Sequence, residues 1–176
     1  MVTSDRGKTY QVDLKTKAIT QSGSASPQAA GAGAQPHDTL EAIKRAIANG
    51  SLPKNYEISF RVNPFCLRGD FNSDGNIDVA VLVKHCSTGK LGIAIVHGGT
   101  NKVTILDAGT AIGNGGDDFE WMDTWRLYSK NGAAPGGHLA NVPHLRGDAL
   151  LVGKSEAASA LICWNGKLYV WFQQGD

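Results

Sequence analysis

Residues 68–84 read RGDFNSDGNIDVAVLVK, and the fold turns on how this stretch is understood. Oxygen-bearing side chains alternate along its first half: Asp70, Asn72, Asp74, Asn76 and Asp78, with Gly75 between. Its second half, from Ile77 to Val83, is almost wholly apolar. Alternating oxygen donors closed by a glycine describe a curled loop, and an unbroken apolar run describes a strand buried on both faces. The loop is therefore expected to sit at a bend between two strands of a sheet.

Hard cations such as calcium take six to eight oxygen ligands. Asp70, Asn72 and Asp74 hold positions one, three and five of a calcium-type loop. Gly75 stands at the sharp bend, Asn76 can offer its carbonyl, and Asp78 stands at position nine. The competing reading is a polar turn in which Asp and Asn side chains cap their own backbone amides. Position twelve is Val81, where a helix–loop–helix calcium site needs a bidentate Glu. A missing ligand would have to come from elsewhere, with Asp107, Asp117, Asp118 and Glu120 as candidates. GDFNSDGNIDVAVL resembles the calcium loop of FG-GAP and VCBS-type repeats, D-x-N-x-D-G-x-x-D before an apolar strand. That resemblance implies a structural calcium ion held by Asp70, Asn72, Asp74 and Asp78, with Asn76 contributing through its backbone. It covers about fifteen residues and a single copy, which does not make a propeller.

Around this stretch the chain reads as α+β, mainly antiparallel sheet with one or two short helices. Residues 1–20 suggest an N-terminal hairpin or extension, and residues 21–36, rich in Ala, Gly and Ser, a flexible linker. Residues 37–176 suggest one β-rich domain with a sheet of six to eight strands. Asp38 and Glu41 form a capping box for a helix over 38–48 with Leu40, Ile43 and Ile47 on one face. Residues 56–62 alternate strictly, which places Tyr56, Ile58, Phe60 and Val62 on one side of a strand. Strands follow at 91–98, 102–109 and 148–154. Asn165-Gly166 between two apolar runs marks a hairpin. Trp121, Trp125 and Tyr128 fit a helical period, so a second helix is expected over 119–130.

The 176 residues carry 17 basic and 16 acidic side chains, a net +1 that provides no field to attract nucleic acid. The longest apolar runs are too short to insert as a membrane-spanning helix. Residues 1–20 lack an apolar leader core, yet a periplasmic or secreted chain that has lost its signal peptide is compatible with the sequence. Cys66 and Cys86 flank the loop and could bridge; the alternative is three small apolar side chains.

No established catalytic motif is present. His97, at a strand end before Gly98-Gly99, is the candidate acid–base residue, with Asp107 or Asp117 as partner. His85-Cys86 would point to opposite faces of a strand, and a His138–His144–Asp148 metal set has no recognised spacing. Trp121, Trp125, Trp164 and Trp171 are either core or a recognition surface for a protein partner. The expected function is a calcium-stabilised, non-enzymatic binding or interaction protein of the inhibitor or immunity kind. The alternatives are a small hydrolase using His97 with a loop carboxylate, and a purely structural module.

Overall fold

The computed structural model describes residues 2–3, 9–13, 18–21, 41, 43–46, 48–49, 51–131 and 143–174. The chain divides into two compact units, Met1–Gly33 and Ala34–Asp176. In the first, β1 (Val2–Thr3), β2 (Thr9–Asp13) and β3 (Ala18–Gln21) form an antiparallel sheet in chain order. The expected linker falls largely outside the described residues.

In the second unit the apolar run becomes β6 (Asp78–His85), buried on both faces from Asp78 to Val83. One edge of β6 carries two short strands in tandem. β5 (Cys66–Gly69) pairs with Asp78–Val81, and β4 (Tyr56–Ile58) pairs with Val83–His85. Its other edge pairs with β7 (Leu91–Val96), which pairs in turn with the edge strand β8 (Val103–Asp107). These five strands make one sheet. A second, four-stranded sheet has the order β12 (Tyr169–Gln173), β11 (Ala158–Trp164), β10 (Ala149–Lys154), β9 (Thr124–Tyr128). All pairings are antiparallel, as short connections require.

Period-two alternation then decides the packing. Ala80, Leu82, Ile93, Ile95 and Leu106 of the first sheet meet Trp125, Leu150, Val152, Ala160, Ile162 and Tyr169 of the second. The opposite face of the first sheet, Val79, Val81, Val83, Ala94 and Val96, is covered by Ile43 and Ala46 of a helical segment and by Leu52. Helical backbone occurs at 41, 43–46 and 48, within the expected helix. The outer face of the second sheet gathers Ala149, Leu151, Leu161 and Cys163 with Tyr128, Val170 and Phe172.

Four expectations are corrected. The single sheet is two sheets in a sandwich. The helix over 119–130 is a 3-10 turn, Phe119–Trp121, followed by β9, because Trp125 and Leu127 share the inner face of a strand paired to β10. The strand over 56–62 stops at Ile58: Tyr56 and Ile58 face the helical segment, Val62 enters the inter-sheet core, and Phe60 is 73% exposed. Arg61 fixes this crossing by donating to the carbonyls of Glu120 and Met122. Cys66, Cys86 and Cys163 are all free, and only Cys163 is buried. Cys66 lies opposite Val81, five residues along β6 from Cys86, too far for a disulfide.

The Asn165–Gly166 hairpin forms as expected; Asn165 Oδ1 accepts from the amides of Lys167 and Leu168, and Gly166 takes φ +104°. Ile93 is fully enclosed at the middle of the sandwich. Ile93→Ala is expected to cost about 2–5 kcal/mol in a urea unfolding titration, with an unchanged m-value.

Candidate functional site

Asp78 begins β6 on the same face as Ala80 and Leu82, so its carboxylate points between the sheets and is fully buried. Oδ2 accepts the amide of Phe71 at 3.0 Å and Oδ1 the amide of Gly98 at 2.9 Å. One side chain thus closes the 70–78 loop and anchors the turn after β7. Gly98 is required there, since a Cβ would lie 2.4 Å from the Ile77 carbonyl oxygen.

The rest of the loop is self-capped. Asp70 Oδ1 accepts from the Asp74 amide at 3.0 Å and Oδ2 from the Gly75 amide at 3.2 Å. Asn72 Oδ1 also accepts from the Asp74 amide, and Asp74 Oδ1 accepts from the Asn76 amide at 2.8 Å. The Asn76 amide first, and the Asn72 side-chain N–H that donates to Oδ2 second, hold the Asp74 carboxyl below its ordinary range. Gly75 takes φ +85°, the left-handed bend that position six demands, and Ser73, at position four, takes φ +63°. The donor set matches a hard cation in composition. In geometry, Asn72 Nδ2 donates to Asp74 Oδ2 at 3.0 Å. Among the described residues, no group of three or more His, Cys, Asp or Glu could hold a metal ion.

His97 follows β7 on the inner face, one-tenth exposed. Its ring stacks on Tyr169 with centroids 6.3 Å apart and planes 13° apart. Nε2 lies 2.9 Å from Thr104 Oγ1 on β8. Nδ1 lies 3.2 Å from Asn72 Nδ2 and 3.5 Å from Asp78 Oδ2. Asp78 can only accept from Nδ1–H, whereas Asn72 can only donate to a bare Nδ1. With the proton on Nδ1, the Nε2 lone pair faces the Thr104 hydroxyl; with it on Nε2, the ring donates to Thr104. The Tyr169 phenol oxygen is buried without a hydrogen-bond partner. Burial first, then Asp78, Asp70 and Asp74, push its pKa upward.

The partner expected for His97 was Asp107 or Asp117; the structure supplies Asp78 instead. Asp107 ends β8, and its register partner is Gly92, at the far end of β7 from His97. For the same reason Asp107, Asp117 and Asp118 do not complete the 70–78 loop. Asp118 caps the amides of Leu91 and Glu120, and Asp117 pairs with Lys90. His85 bonds Asn55 and Ser87, and not Cys86. His144 is exposed, and His138 lies outside the described residues. Trp125 is buried with Nε1 donating to the Pro64 carbonyl, which removes it from any surface. Trp121, Trp164 and Trp171 are half-buried against the inter-sheet core.

Asp148 has a larger role than the sequence reading gave it. Its Oδ2 accepts from the Asp70 amide at 3.0 Å, and its own amide donates to the Asp70 carbonyl at 2.8 Å. A Cβ on Gly147 would lie 2.3 Å from that carbonyl oxygen. A signal was available: Leu145-Arg146-Gly147-Asp148 repeats Leu67-Arg68-Gly69-Asp70, and the two copies meet. Thr104 and Tyr169 carried no signal beyond strand alternation. Comparison with protein-family models, with curated proteins and with solved structures gave no match.

Asp107 is 2% exposed, at φ +65°, with neither carboxylate oxygen hydrogen-bonded. Burial first, then Asp118 and Asp117, raise its pKa from 3.8 to about 7, against the opposing pull of the Ala108 amide and Lys90. A raised acid binds its proton more tightly when folded, so the stability it contributes falls as pH rises from 3.8 to about 7. Asp107→Asn is expected to gain about 1–3 kcal/mol at pH 8, shrinking toward zero on acidification, in melting curves across pH.

Proposed function

We propose that His97, Asp78 and Thr104 form the acid–base centre of a small hydrolase of the acyl-transfer class. The observation that carries this reading is the order of the three groups, with Thr104 Oγ1 at 2.9 Å from Nε2 and Asp78 Oδ2 at 3.5 Å from Nδ1. A hydroxyl, an imidazole and a buried carboxylate in series are the parts of an activated nucleophile. Asp78 orients the ring and favours the Nδ1–H tautomer. Nε2 then takes the Thr104 proton as Oγ1 attacks an ester carbonyl, and returns it to the departing alkoxide. Water, deprotonated by the same nitrogen, releases the acid from threonine. Thr104 lies on the edge strand of its sheet and is only half-buried, which leaves a side from which substrate can approach.

The test is hydrolysis of p-nitrophenyl acetate. His97→Ala and Thr104→Ala are expected to lose about 100-fold or more of the rate, and Thr104→Ser to keep it. Equal rates for wild type and His97→Ala, with both proteins folded, would sink the proposal.

A second reading makes the protein a calcium-pinned interaction module. It is supported by the convergence of Asp70, Asn72 and Asp74 on one turn, and by the Phe60–Phe65 pair, exposed 73% and 39% with centroids 5.9 Å apart. Calcium would require the Asn72 amide nitrogen to leave Asp74. On this reading calcium raises the melting point by about 2–4 °C over chelator at saturating concentration; identical melts exclude it.

A further inference from the structure

A cavity of about 230 Å³ lies beside the turn after β7, with His97 in its lining, and that lining carries no carboxylate. Arg68 of β5 and Arg45 of the helical segment both line it, together with Asn101 and the Gly98–Gly99 backbone. Val79 and Val96 form an apolar wall.

Arg68 is the unusual member. Nε and Nη1 are shielded from solvent, and neither has a hydrogen-bond partner. A guanidinium is always charged, and its N–H groups can only donate. Leaving them buried and unmade is costly, more so for a charged group than for a neutral one. The ion pairs among the described residues involve neither Arg68 nor Arg45. Arg45 is exposed, and its Nε donates to the Glu41 carbonyl at 3.3 Å. Two positive charges thus meet at one concave place whose lining holds no carboxylate.

We propose that this cavity binds a small oxyanion, the carboxylate or phosphate group of a ligand, through Arg68 and Arg45. The oxyanion accepts from the unpartnered Arg68 donors, and Arg45 closes the site from the helical side. The volume admits a phosphate or a short carboxylic acid, with its carbon chain against Val79 and Val96.

The experiment is thermal melting of the full chain in sodium phosphate or sodium acetate against sodium chloride at matched ionic strength. One or both oxyanions are expected to raise the wild-type midpoint by about 2–4 °C beyond chloride at a tenfold excess over the dissociation constant. Arg68→Met removes that response, and Arg45→Met, at an exposed position, weakens it. Should Arg68→Met fail to fold, the Arg45→Met response decides. No wild-type shift beyond chloride, or a folded variant responding as wild type does, overturns the two-arginine site.

Discussion

A fully buried carboxylate holds this fold at its most crowded point. Asp78 cannot be solvated where β6 places it, so both of its oxygens must be met by protein donors. The amides of Phe71 and Gly98 meet them, one from the loop before β6 and one from the turn after β7. Loop and turn are therefore held to the same side chain, and each requires a residue that lets the backbone approach. Gly98 lies against the Ile77 carbonyl, and Gly147 lies against the Asp70 carbonyl. The reciprocal bonds between Asp70 and Asp148 then tie the loop to the segment that starts β10, and so join the two sheets at their shared end.

That end of the sandwich concentrates polar chemistry because the core excludes it elsewhere. His97, Thr104 and Tyr169 occupy inner-face positions that further along the strands belong to Ile93, Leu106 and their neighbours. The opposite end holds a second buried carboxylate with the reverse arrangement. Neither oxygen of Asp107 is hydrogen-bonded, and burial first, then Asp118 and Asp117, makes it resist ionisation. Two aspartates of like burial thus differ in their surroundings, since two backbone amides donate to Asp78 and neither oxygen of Asp107 is hydrogen-bonded.

Much of the framework could be read from periodicity. The β6 run, the β6–β7–β8 meander and the Asn-Gly hairpin each depend on contacts a few residues apart, and each formed as expected. The failures share one cause. Trp121, Trp125 and Tyr128 satisfy a helical spacing, yet Trp125 and Leu127 equally satisfy a strand, and pairing with β10 settled it. Phe60 alternates correctly with Ile58, yet the chain crosses from one core to the other between Ile58 and Val62 and leaves Phe60 exposed. For the candidate site, Asp78 and His97 were both visible as polar residues at strand ends, but their meeting was not. Asp107 is nearer to His97 in sequence than Asp78 is, and sheet register alone separates it.

From the order of its residues alone, this chain determines where strands run and where they turn, because side-chain alternation and glycine at positive φ are local properties. It also determines that the 70–78 segment curls around its own Asp and Asn side chains. Which faces meet was decided only by the tertiary structure: two sheets rather than one, Asp78 beneath His97, Thr104 beside it, and two arginines over one cavity. The reason is that a hydrogen bond or an ion pair acts over a few ångströms in space, whereas these partners stand seven to about eighty residues apart along the chain.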